Sequence, residues 1–174
     1  GIGLAAPQVG VAKRILVIDL AQKDSPATPL QIVNPKLIWA SEELASNEEG
    51  CLSLPDQYAE IKRSKSTRIR YLDQQNVDRE LEATGMLSAC LQHEMDHLNG
   101  VMFLDHLSFI KRDLIKRKIR KLIKTNDTDN LAVACELLSS ATATEGDWLK
   151  LFPKTRIREL LSTWEPGIWN TLAT

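Results

Sequence analysis

The sequence predicts an α+β fold, and three observations carry that prediction. Two apolar runs of strand length lie before residue 41, two further strand-like segments flank a turn-rich tetrapeptide, and the apolar spacing switches to a helical period at Met86. The chain has 174 residues, a length that suits one domain with room for an appendage. With 43% hydrophobic and 26% charged residues, its composition argues against wholesale disorder. A formal net charge of −1 gives no whole-protein reason to expect nucleic acid as substrate. No run of 18 apolar residues is present, so no membrane span is expected. Three scattered cysteines are too few for a disulfide framework and point to a reducing compartment.

Taken in order, Gly1 to Gly10 is small and apolar without periodicity, a tight loop in which backbone approaches a neighbour closely. Arg14–Leu20 (RILVIDL) is a buried-strand candidate. A polar, proline-bearing loop to Pro29 leads to a second strand over Leu30–Ala40, interrupted at Asn34-Pro35. Thr67–Leu72 and Val77–Thr84 flank Asp73-Gln74-Gln75-Asn76 and read as a hairpin. Met86–Leu98 is rich in helix formers and ends at the stop signal Asn99-Gly100. A second helix is expected from about Ser108 to Lys124, where Ile110, Leu114, Ile115, Ile119, Leu122 and Ile123 recur at helical spacing. Thr125–Asn130 is a polar hinge and the best internal boundary. Beyond it, Leu131–Leu138 and the stretch around Ile157, Leu160, Leu161 and Trp164 suggest helices. Trp148, Trp164 and Trp169 in that tail suggest packing rather than disorder.

The most specific local signal is His93-Glu94-Met95-Asp96-His97, an H-E-x-x-H sequence inside the first helix. Residues four apart share a helix face, so both imidazoles can converge on one cation, with Glu94 beside it to take a proton from water. On the same face, counting back, lie Ala89, Cys90 and Met86; Leu87, Leu91, Met95 and Leu98 form the better core stripe. Two histidines hold a catalytic metal poorly and a third protein ligand is expected. Extension to H-E-x-x-H-x-x-G-x-x-H fails, because Gly100 is in place but Phe103 stands where the third histidine belongs. His106 reads as a surface or boundary histidine. Cys90 is a poor third ligand, about 10 Å along the helix axis from His97, and Cys135 lies beyond the hinge. Cys51 remains, in Glu49-Gly50-Cys51-Leu52-Ser53-Leu54-Pro55.

Three segments now stand together: Gly1-Ile2-Gly3-Leu4-Ala5-Ala6-Pro7-Gln8-Val9-Gly10, Glu49-Gly50-Cys51-Leu52-Ser53-Leu54 and Gln92-His93-Glu94-Met95-Asp96-His97. In content, order and spacing this combination resembles the peptide deformylases, over roughly residues 1–124. The resemblance implies removal of the formyl group from the initiator N-formylmethionine of nascent polypeptides. It implies that Cys51, His93 and His97 bind a divalent metal, usually ferrous iron, with zinc or another divalent ion as substitute. It gives Glu94 the role of general base, and the Gln8 amide and the Leu52 backbone N–H the role of oxyanion donors. Ile2, Gly3, Met86, Ala89 and Cys90 are candidates for an apolar pocket that accepts methionine, with Glu49 and Gly50 added from the cysteine segment.

The resemblance further implies that the basic run Lys111–Lys124 docks on the ribosome through RNA phosphates, without reading sequence. A bacterial cytosol or an organelle matrix is the expected compartment. The family's N-terminal helix and strand are expected ahead of the first motif and are not in this chain. Residues 1–124 are therefore read as an N-terminally incomplete deformylase-like catalytic domain, and 125–174 as an unassigned, helical extension. The expected architecture is mostly antiparallel strands packed around the His93–His97 helix, with a basic C-terminal helix. Two rivals are a metallopeptidase of the H-E-x-x-H type and an inactive, ribosome-associated relative.

Overall fold

The computed structural model describes residues 2–21 and 29–124; the expected tail over 125–174 lies outside the described residues. Seven strands and two helices organise this part of the chain. Strands β1 (Gly3–Ala5), β2 (Ile15–Ile18), β3 (Leu30–Ala40), β6 (Ser66–Leu72) and β7 (Asp78–Thr84) form one antiparallel sheet in the order β1-β2-β3-β6-β7. Strands β4 (Leu44–Cys51) and β5 (Leu54–Ser64) form a separate antiparallel hairpin inserted between β3 and β6. Its neck is pinned by Ser41 N–H donating to Ser66 O (2.9 Å) and Lys65 N–H donating to Glu43 O (2.8 Å).

The apolar run at Ile15–Ile18 is buried on both faces except at its first residue, as a central strand beside a helix must be. Strand β3 passes through Asn34-Pro35 without ending. Asn34 takes a left-handed φ of 50°, and the register to β6 shifts between Val33 and Lys36. The β6–β7 turn is built by Asp73, whose Oδ1 accepts from the backbone N–H groups of Gln75 and Val77 at 2.9 Å each.

Helix α1 (Gly85–Leu98) lies on the sheet and buries Leu91 and Met95 against Leu16, Ile18, Ile32, Ile69 and Ala83, with Leu87 and Leu98 at the edge. Burying one such leucine contributes about 1.5–3 kcal/mol. The helix stops at Gly100 (φ 71°), whose N–H donates to His97 O at 3.2 Å. At its other edge Gln92 docks on the backbone of Ser64, accepting from its N–H (3.2 Å) and donating to its carbonyl (2.9 Å). A second apolar cluster of Cys51, Leu54, Ile61, Met102, Phe103 and Leu104 lies under the β4–β5 hairpin.

Helix α2 (Phe109–Lys124) differs from the expected amphipathic packing. Ile115 packs against the second cluster, but Ile110 and Leu114 are 71% and 54% exposed, and Phe109 is exposed too. The spacing is helical as predicted, and of Phe109, Ile110, Leu114 and Ile115 it is Ile115 that packs against the cluster. No helix among the described residues is long and apolar enough to cross a membrane.

Candidate metal centre

Helix α1 brings His93 and His97 onto one buried face, with ring centroids 5.0 Å apart. Cys51 arrives from the end of β4, where the register shifts between Gly50 and Cys51 and the chain turns toward Leu54. Its Sγ lies 3.3 Å from His97 Nε2, and one donor atom from each of Cys51, His93 and His97 falls within 4.8 Å of the others. Donors around a four-coordinate ion with bonds of about 2.0–2.3 Å stand roughly 3.5 Å apart, so this group is close to closing on a cation. One sulfur and two imidazoles suit a borderline-soft divalent metal.

The protonation states suit ligation. Burial, then the positive charges of His93 and Arg63, lower His97 to about 3 and keep its ring neutral. Burial alone would raise the Glu49 carboxyl, but hydrogen bonds from His93 and Arg63 outweigh it and hold Glu49 at about 2. Glu49 is therefore an acceptor, and the 2.8 Å contact from its Oε2 to His93 Nδ1 must be donated by the ring. That contact fixes the ring so that Nε2 is the nitrogen facing away from Glu49.

Glu94 is the anomaly that marks the site as functional. It is 3% exposed, and its Oε2 is buried without a hydrogen-bond partner among the described residues. Burial pushes its carboxyl up to about 8. The Gly3 backbone presses against it, and a Cβ at Gly3 would collide with Glu94 Oε1 and come within 2.8 Å of Cys90 Sγ. Only glycine fits that approach. The Cys90 thiol is itself raised, by burial and then by the Glu94 and Glu49 charges, and so stays protonated.

Ala89 and Cys90 are buried beside Glu94's turn of the helix, whereas Ile2 and Met86 are exposed. The Glu49 carboxylate is buried beside His93 and engaged by that ring and by Arg63. Gly50 makes room for Tyr58, whose ring would stand 2.5 Å from an added Cβ. Gln8 Oε1 accepts from Ala5 N–H at 2.8 Å, which turns its amide nitrogen toward Ser53 Oγ (3.1 Å) and Cys51 Sγ (3.6 Å). Leu52, with an exposed side chain, forms the turn after Cys51.

Sequence reasoning missed Arg63, which is buried between Glu49 and Asp96. It also missed the use made of Phe103, which fills the position of an expected third histidine and stacks on His93 at 6.4 Å and 20°. His106 is a surface histidine as expected, and its Nε2 lies 2.7 Å from Asp96 Oδ2. A buried arginine flanked by polar residues leaves no hydrophobic signal in the sequence.

Fold and site together define an α+β hydrolase with a buried Cys-His-His donor set. A family model described as polypeptide deformylase matches residues 1–113. A peptide deformylase of Mesorhizobium japonicum is 51% identical over 124 residues, covering 71% of this chain and 70% of that protein. One of Rhizobium meliloti is 49% identical over 125 residues, covering 72% of each. The crystal structure of peptide deformylase from Ehrlichia chaffeensis superposes with a TM-score of 0.66 at 41% identity, over 72% of this chain and 75% of that one. The structure of the Ehrlichia chaffeensis enzyme in complex with actinonin gives 0.65 at 43%, over 70% and 73%. The chain belongs to the peptide deformylase family, metal-dependent hydrolases that remove the N-formyl group from nascent peptides.

Proposed function

We propose that residues 1–124 form a catalytic unit that hydrolyses the formyl group from N-formylmethionyl peptides, with Cys51, His93 and His97 as metal ligands and Glu94 as general base. The carrying observation is Glu94 Oε2, buried without a partner among the described residues, on the same helix turn as the two imidazoles. A divalent cation on the three donors would acidify a water, polarise the formyl carbonyl and favour the ionised form of the neighbouring carboxyl. The thiolate in the donor set favours ferrous iron, with zinc or another divalent ion as substitute.

The chain's own residues do the rest. Glu94 Oε2 takes a proton from the attacking water, the C–N bond of the formamide breaks, and the same proton passes to the departing amine nitrogen, leaving formate. The Leu52 N–H and the Gln8 amide are the proposed donors to the developing oxyanion. Of the two donations from Gln8 Nε2, the longer one to Cys51 Sγ is the one exchanged for substrate oxygen. The Gly3 backbone against Glu94 restricts the space at the reacting carbon, which admits a formyl hydrogen and disfavours an acetyl methyl. Ala89 and Cys90 then offer a small, soft wall for the methionine side chain.

The basic stretch of α2 is the proposed ribosome contact: Lys111, Arg117 and Lys118 are exposed on it. The test of the enzymatic reading is formate release from a formyl-Met-peptide by the metal-loaded chain. Glu94→Ala is expected to keep the metal and lose at least about 10² in turnover. Near-normal turnover in that variant removes Glu94 from the mechanism, and cleavage of internal peptide bonds without formate points to a peptidase.

A further inference from the structure

The donors of the centre come from two separate parts of the fold. Cys51 ends a strand of the inserted hairpin, while His93 and His97 ride on the helix packed against the other sheet. Gln92 and Ser88 tie the helix to the Ser64 backbone of the hairpin, and Arg63 ties it to the carboxylate behind the metal ligands. Arg63, from β5, donates through Nε and Nη2 to the two oxygens of Glu49 on β4 (2.5 and 2.9 Å) and through Nη1 to Asp96 Oδ2 on α1 (2.8 Å). Glu49 in turn fixes the ring of His93, and Asp96 immediately precedes His97. Asp96 Oδ2 also receives His106 Nε2 at 2.7 Å, from the short helical turn whose Phe103 stacks on His93.

We infer that Arg63 is a positioning residue: its fork sets the orientation of the His93 ring and the distance between the cysteine strand and the histidine helix. The inference rests on the metal-centre reading above. The physical reason is geometric. A guanidinium presents its donors in a rigid plane, so two carboxylates bound to one fork are held at a set separation, which a lysine ammonium cannot do. Such supporting contacts change metal affinity by about 10–100-fold in comparable sites. The sequestered position of Arg63, 5% exposed, keeps solvent from competing with its Glu49 arm.

The experiment titrates the metal-free 174-residue chain with Co²⁺ under anaerobic conditions, reading affinity and the thiolate-to-cobalt absorption bands together. Arg63→Met is expected to weaken Co²⁺ binding by about 10–100-fold and to shift the bands. Arg63→Lys, which keeps the charge and loses the fork, is expected to fall between the two; if Arg63→Met does not fold, this variant decides the question. In a double-mutant cycle, removing Arg63 in a Glu49→Gln background is expected to cost clearly less than in the wild type. Wild-type affinity and bands in the folded variants would overturn the inference, as would strict additivity with Glu49→Gln. A wild-type chain that takes up no Co²⁺ would instead overturn the metal-centre reading itself.

Discussion

Adding one methyl group at Gly3 tests the reacting geometry without touching a proposed metal ligand. An ideal Cβ there stands 2.8 Å from both Glu94 Cδ and Cys90 Sγ and closer still to Glu94 Oε1. Carbon contacts relax near 3.5–4.0 Å, so the strand or the carboxyl must move by about an ångström. Overpacking of that kind costs about 1–3 kcal/mol. Borne by the placement of Glu94, it corresponds to a fall of roughly 10–100-fold in kcat/KM. Gly3→Ala is therefore expected to lower formate release from a formyl-Met-peptide by that factor while metal content, measured on the same preparation, stays at the wild-type level. Replacing Cys90 by Ala in the same chain removes one of the three obstructed atoms and should restore part of the activity. Activity within about threefold of wild type would refute the claim that Gly3 presses on the base. Loss of metal along with activity would show that the strand, rather than Glu94, had moved.

Three other outcomes follow from the same geometry. Cys51→Ala is expected to lose metal in anaerobically purified protein, by elemental analysis; a fully loaded variant reopens the choice of third ligand. Glu49 is held at about 2 in the folded chain and returns to the ordinary carboxyl value of 4.5 on unfolding, so between those values the unfolded chain binds the extra proton and stability rises with pH. In the metal-free chain this contribution, about 2 kcal/mol after allowance for solvent screening, is complete above pH 4.5 and lost as pH falls toward 2. Urea unfolding of wild type and Glu49→Gln between pH 3 and 5 should show the difference between them shrinking as the pH drops; a constant difference contradicts the assignment. Reversing Lys111, Arg117 and Lys118 to glutamate should abolish salt-sensitive pelleting with ribosomes while leaving peptide deformylation unchanged, and unaltered pelleting removes α2 from that interface.

What the sequence by itself determined is local. Two histidines four apart share a helix face by helical geometry alone, Asn99-Gly100 ends that helix where the backbone needs a left-handed residue, and Asp73 builds its own turn between β6 and β7. The strand over Leu30–Ala40 was readable because apolar residues dominate one of its edges. The β4–β5 hairpin was not, because its inward positions carry Asn47, Glu49 and Arg63, and buried polar residues erase the alternation by which strands are recognised. The exposed stripe of Phe109, Ile110 and Leu114 shows the converse: periodicity names a helix, not the surface that will cover it.

Only the tertiary structure decided which charges meet. Arg63 finds Glu49 fourteen residues away and Asp96 thirty-three residues away, and neither pairing follows from spacing. It decided too that Phe103 would lean on His93 instead of replacing a ligand, and that Glu94 would be enclosed with one oxygen unanswered. The reason is the range of the forces: backbone geometry and capping act within a few residues, whereas desolvation and charge pairing depend on chain segments that folding alone brings together.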